Sequence, residues 1–311
     1  MIAKKDKAIM SKKSIILSLV FYLLVSSVSV CATETDIIEN NELIVQYERP
    51  LRTVAKHVMD IYPSVKEELE KTFDWRLNFR PKVVLVKDRE TFKEMGGNDL
   101  IVAFAASKRN LIVIDNSKMK THPFTMEVTL KHEVCHLLLH HYIRGANMPK
   151  WLNEGISQWV SGAITEIIIG ENKDLLKQAT LSGRFIRIND LNKTFPQDEK
   201  LLQLSYQESK SFVDYIYDEF GSDGVLQVLN HIRDGKKIET AIFESVAIPL
   251  DELENRWHSH LRKKFTWFTY VSNHLYQILF SLSTILLIYG FIRLLIRKKA
   301  YKDNDEDDVI D

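Results

Sequence analysis

The 311 residues are 45% hydrophobic and 27% charged, which fits an ordinary globular protein with room for a sizeable core. Lys and Arg balance Asp and Glu at 42 each, and no basic stripe is interleaved with aromatics, so nothing points to nucleic acid and no such partner is expected. The balance is uneven along the chain: the first 32 residues carry a formal +4, which leaves the remainder at −4.

That basic start precedes the apolar run Ser14 to Val30 and then Cys31–Ala32. A charged n-region, an apolar h-region and a small-residue exit predict a signal peptide over residues 1–32, with Val30 and Ala32 at the −3 and −1 positions. An uncleaved signal anchor is the alternative, because the run lies near the lower limit for spanning. Removal of the signal leaves Cys135 as the only cysteine, so the mature domain is expected to hold by packing without an internal disulfide.

Residues 33–79 are expected to be an N-terminal helical segment, helical in pattern over 42–72 and broken in two by Pro63. "PKVVLVKD" (81–88) and "NLIVIDN" (110–116) read as short buried strands, with a turn before the second. "FTMEVTLKHEVCHLLLHHYIRG" has helical length and a stop at Gly145; "NMPKWLNEGISQWVSGAITEIII" is a second helix with Pro149 in its first turn. A mixed polar stretch over 171–200 is expected to cross the surface. Helices follow at 205–221, ending at Gly221, and at about 223–233 and 250–264. The predicted fold class is therefore α+β: a small N-terminal sheet, then a mostly helical domain.

A second apolar segment, 274–296, is long enough to cross a bilayer. Trp267, Phe268 and Tyr270 stand at its entry and Arg297, Lys298 and Lys299 at its exit, before an acidic tail. A single C-terminal transmembrane helix is expected, with the tail 297–311 cytoplasmic and the preceding domain extracytoplasmic.

The chemistry lies in residues 130–157, "LKHEVCHLLLHHYIRGANMPKWLNEGIS". On a helix His132 and His136 project from one face, one turn apart, and can share a metal ion. Glu133 lies about 100° around the helix and can face a metal-bound water without being a ligand. Glu154, 18 positions after His136, sits on the next helix beyond a turn at Gly145–Ala146–Asn147, which can return it beside the histidines. Two His and one Glu are a catalytic zinc set with an open fourth position. His140, two turns from His132, lies too far along the helix to join the same ion. It and His141 read as helix-end residues suited to the macrodipole, and Cys135 as a small buried side chain.

His132–Glu133–x–x–His136 followed by Trp151–Leu152–Asn153–Glu154–Gly155 resembles the gluzincin metallopeptidases, and the second motif is similar to that of the aminopeptidase branch. The layout of 80–265 resembles a peptidase MA-like domain. The resemblance implies zinc (Zn2+), a peptide or protein substrate, His132, His136 and Glu154 as metal ligands and Glu133 as catalytic base. It also maps an oxyanion-stabilising tyrosine onto Tyr206, for which a helix-face tyrosine is the alternative. In gluzincins an edge strand before the metal helix pairs with substrate, and this role falls on Leu111 to Asp115. The Gly-x-Met-Glu-Asn stretch by which aminopeptidases grip a free amino terminus is missing. Leu139 and Tyr142 stand where the metzincin pattern needs Gly and His, and Gln158 stands where CaaX-type proteases place Asp. The expectation is a membrane-anchored extracytoplasmic zinc endopeptidase. A catalytically inactive binding module on the same scaffold, or an aminopeptidase, is the alternative.

Overall fold

The computed structural model describes residues 35–119, 124–143, 148–162 and 174–307. The predicted signal peptide, the Gly145–Ala146–Asn147 turn and the last four residues of the tail lie outside them, as do the side chains of Trp267, Phe268 and Tyr270.

Five short strands form one sheet in the order β1-β2-β3-β5-β4: β1 (Thr35–Glu39), β2 (Ile44–Glu48), β3 (Lys82–Val86), β4 (Ala103–Ala106) and β5 (Leu111–Asp115). β2, β3 and β5 run parallel, while β1 and β4 pair antiparallel on the two sides. The period-2 alternation of a strand splits the apolar side chains between two faces. Val83, Leu85, Ile112 and Ile114 enter the main core. Val84, Val86 and Val113 form a smaller cluster under Phe92 of the short helix α2 (Arg89–Glu94) on the other face.

Two expectations are corrected here. Residues 35–39 and 44–48, read as part of a helical segment, are strands joined by a tight turn in which Asn40 Oδ1 accepts from the backbone of Glu42 and Leu43. Pro63 does not break the following helix, α1 (Arg52–Phe73), which is continuous through it. Ala55, Val58, Tyr62, Val65, Leu69 and Phe73 fall on one buried stripe at helical spacing, and Pro63 lies on the exposed face, where the carbonyl it leaves without a donor can be hydrated.

The rest is helical: α3 (Met126–Ile143), α4 (Lys150–Ser161), α5 (Leu175–Ser182), α6 (Glu199–Arg233), α7 (Ile238–Val246) and α8 (Leu250–Asp307). α5 and α7 fall where the sequence pattern predicts no helix, α5 inside the polar stretch expected to cross the surface. α6 departs from helical geometry at Gly221 (φ 71°, ψ −174°), so the stop expected there is present and two helices meet at it. α3 is buried on nearly every side, lying against α1 and β4 on one flank and α4 and α6 on the other.

An aromatic chain connects the later helices. Trp151 on α4 packs on Phe212 of α6 (ring centroids 5.3 Å apart), and Phe212 packs on Trp257 of α8 (5.2 Å). Trp257 is fully buried and donates from Nε1 to Ser211 Oγ at 3.1 Å. α8 thus begins as part of the domain, with Leu250, Leu253, Trp257 and Leu261 on its buried side. Over His274–Leu295 it is apolar and unburied, 22 residues that at 1.5 Å each exceed the roughly 30 Å hydrocarbon thickness of a bilayer.

Candidate metal centre

α3 and α4 bring three side chains to one point. His132 and His136 turn their Nε2 atoms to within 3.0 Å of each other, with the rings nearly perpendicular. Glu154 Oε2 lies 3.5 Å from His136 Nε2 and 3.9 Å from His132 Nε2. One atom from each lies within 4.8 Å of the others, and all three residues are buried. Bonds of about 2.1 Å to a tetrahedral ion place ligand atoms about 3.4 Å apart, in the middle of this range. The donor set and its spacing therefore fit zinc. Glu133, on the same turn as His132, is fully enclosed.

The residues around the triad account for the rest of the second motif. Asn153 Oδ1 lies 2.8 Å from His136 Nδ1, and Ser157 Oγ lies 3.2 Å from the same nitrogen. An acceptor at Nδ1 holds the proton there and leaves the Nε2 lone pair toward the triad. Trp151 anchors α4 by donating from Nε1 to Asn192 Oδ1 at 3.0 Å, while the Lys150 amide donates to the Asn192 carbonyl at 2.8 Å. Gly155 is required by contact: a Cβ there would stand 2.5 Å from the Ser209 carbonyl oxygen and 2.7 Å from Val213 Cγ2. Only glycine lets α4 approach the α6 backbone this closely at the residue beside Glu154. The spacing of the motif had pointed to Glu154 alone; the supporting roles of Asn153 and Ser157 depend on which way α4 faces, which spacing does not encode.

The triad opens into a cavity of about 430 Å³. His136, Asn153 and Glu154 form one wall, Phe104 and Ala105 of β4 another, and Tyr206 and Phe195 a third. The strand expected to pair with substrate, Leu111 to Asp115, is not an edge. β5 is bonded to β3 on one side and β4 on the other, so its main chain has no free valence for a peptide. β4 is the outer strand, no strand pairs with its free side among the described residues, and it borders the cavity. The four-residue "AFAA" lacks the β-branched run by which β5 announced itself, hence its absence from the sequence reading. Tyr206, 52 residues beyond Glu154, does reach the cavity, with its ring edge-on to Phe195 at 5.0 Å.

The remaining candidates separate. Cys135 is fully buried and its thiol pKa is pushed up to about 12, chiefly by burial, as suits an inert core side chain. His141 is corrected: its ring stacks on Phe79 (centroids 4.1 Å) and its Nε2 meets Asn110 Oδ1 at 2.6 Å. Partial desolvation, then the neighbouring His140, lowers its pKa, which favours a neutral imidazole and not a cation serving the helix end.

A family profile described as the Peptidase MA superfamily matches residues 96–263, more than half of the chain. No curated protein matches the sequence. Among solved structures, the aminopeptidase A of Legionella pneumophila, crystallised with aspartic acid, is similar at 12% identity and a TM-score of 0.43, over 72% of this chain and 27% of that one. A mutant of the M1 zinc metallopeptidase from Deinococcus radiodurans is similar at 12% identity and a TM-score of 0.38, over 74% of this chain and 51% of the other. The present chain therefore spans about a quarter and a half of the lengths of these two enzymes.

Proposed function

The chain belongs to the Peptidase MA superfamily, and from that premise we propose that it is a membrane-anchored, extracytoplasmic zinc endopeptidase. The observation that carries the reading is the His132–His136–Glu154 cluster opening into a cavity bordered by the free side of β4. His132, His136 and Glu154 would hold a zinc ion, which would supply Lewis-acid polarisation of a carbonyl and a bound water with its pKa lowered to about 7. Asn153 orients His136 for that task. Glu133 would accept a proton from the attacking water as that water's oxygen bonds to the peptide carbonyl carbon. The same carboxyl then passes the proton to the departing amine nitrogen as the C–N bond breaks. The Tyr206 hydroxyl donates to the carbonyl oxygen as negative charge gathers on it.

Main-chain pairing with β4 aligns an extended substrate and leaves side-chain preference to the cavity walls. The missing amino-terminus grip supports internal cleavage. The test is cleavage-site profiling of the full chain on a mixed peptide pool, with Glu133→Gln as control. Internal cuts absent from the variant are expected. Stepwise trimming from amino termini alone would overturn the endopeptidase reading in favour of an aminopeptidase, and zinc without turnover would leave a binding module.

A further inference from the structure

The candidate active-site cavity is lined by one carboxylate and one constitutive cation among the described residues. Glu154 supplies its only carboxylate among the described lining residues, and Lys150 its only side chain that is cationic at every physiological pH. The Glu154 charge belongs to the metal triad. Lys150 is half-buried and has no carboxylate partner among the described residues. Its Nζ stands 5.0 Å from the centroid of the Phe195 ring, whose π face holds a cation without neutralising it.

Lys150 is also placed against its helix. It is the first residue of α4, where the N-terminal end of the macrodipole disfavours a cation, and the first turn of α4 contains no acidic residue to offset it. A half-buried cation at a helix start, facing a cavity and with no counter-ion among the described residues, is suited to receive an anion. Lys150 precedes Glu154 by four residues, one turn or about 6 Å along the same face. An extended peptide advances about 3.3 Å per residue, so an anion meeting Lys150 lies within a few residues of the bond being cut.

Resting on the zinc peptidase reading above, we propose that Lys150 is a specificity-determining residue that selects substrates bearing a carboxylate close to the scissile bond. That carboxylate comes from an acidic side chain or from a free carboxyl terminus. Lys150 takes no part in bond breaking; it pairs with the carboxylate and fixes the register of the peptide along β4.

The experiment measures binding by the full-length chain in detergent in a Glu133→Gln background, with zinc content verified, using fluorescent peptides in matched sets. One set carries Glu, Gln or Lys at each position flanking the centre, and a second ends in a free carboxylate or an amide. Lys150 is compared with Lys150→Met, which keeps the stem over Phe195 and removes the charge, and with Lys150→Glu. The parent is expected to bind a carboxylate peptide about tenfold more tightly than its amide. The ratio falls to near one in Lys150→Met, and the Lys peptide becomes the tightest for Lys150→Glu. Discrimination confined to the second set identifies the carboxyl terminus as the source, and discrimination within the first identifies a side chain. Equal affinity for acid and amide in both sets, or a preference that persists in Lys150→Met, overturns the proposal. Failure of the peptidase reading shows separately, as absence of zinc or of cleavage by the chain that retains Glu133.

Discussion

At the scale of single residues, the proposed roles divide the metal motifs into groups that would hold the ion and groups that would act beside it, and substitution separates them. Glu154 Oε2 lies within 3.9 Å of both imidazole nitrogens, so Glu154→Gln removes a charged oxygen donor and is expected to lower zinc occupancy, measured by metal analysis after dialysis. Glu133→Gln is expected to keep its zinc and lose hydrolysis, because a proton acceptor is lost and no ligand is. Equal zinc loss in both variants would show that base and ligand are interchanged. Tyr206→Phe keeps its ring against Phe195 and loses only the hydroxyl. Its expected signature is turnover lowered by about 10²-fold or more with zinc unchanged. The two histidines of the candidate metal cluster were legible because i, i+4 spacing on a helix is a local rule. The pairing of Asn153 with His136 was not, because it joins two helices.

At the scale of elements, two contacts hold the site's walls in place. The close approach of α4 to α6 at Gly155 leaves no room for a methyl group against the Ser209 carbonyl. Gly155→Ala is expected to destabilise the domain by about 1–3 kcal/mol, read from denaturant midpoints. It should also weaken zinc binding by displacing Glu154, and an unchanged midpoint would mean that the helices part without cost. The second contact is electrostatic. Glu208 on α6 is fully buried and accepts from the Ile186 amide at 3.2 Å, while Glu254 on α8 accepts from the Ile188 amide at 3.0 Å. These two carboxyls hold the segment leading to Phe195. Burial first, and then the charge of Glu254, pushes the Glu208 pKa up to about 8 from an ordinary 4.5.

The sign follows from linkage. Between pH 4.5 and 8 the folded state holds a proton that the unfolded state has released, so this contribution is full below 4.5 and is lost as pH rises through 8. Each pKa unit is worth about 1.4 kcal/mol, so Glu208→Gln, neutral at every pH, is expected to gain on the parent by about that much or more at pH 8. At pH 4.5 the two should unfold alike. A difference between parent and variant that does not change with pH would remove Glu208 from the titration.

At the scale of the whole molecule, α8 belongs both to the domain and to the apolar segment. Trp257 is locked into the aromatic chain that reaches Trp151, and the backbone remains helical from Leu250 through the candidate span His274–Leu295. If the apolar segment spans a bilayer as proposed, a helix without a break between packed and exposed halves would keep the proposed active site near that bilayer and favour membrane-proximal substrates. With residues 33–264 outside and 301–311 inside, protease added to intact cells or spheroplasts is expected to digest the domain and spare the tail. A protected domain would reverse the orientation.

What the sequence determined by itself was the candidate metal motif and the segments whose signal is local. These are the two histidines one turn apart, the glutamate on the following helix, the β-branched strands β3 and β5, the stop at Gly221, and an apolar run long enough to cross a bilayer. What only the tertiary structure decided was everything set by pairing between distant segments. β4 and not β5 is the free edge because β5 is bonded on both sides. Residues 44–48 became a strand because pairing with β3 outweighed a helical pattern. Phe195, Tyr206 and Lys150 meet in one cavity only after α4 has docked on α6. Helical period and apolar length are written within a few turns of chain, whereas the partner of an edge, a cation or a glycine is chosen by packing among residues far apart in sequence.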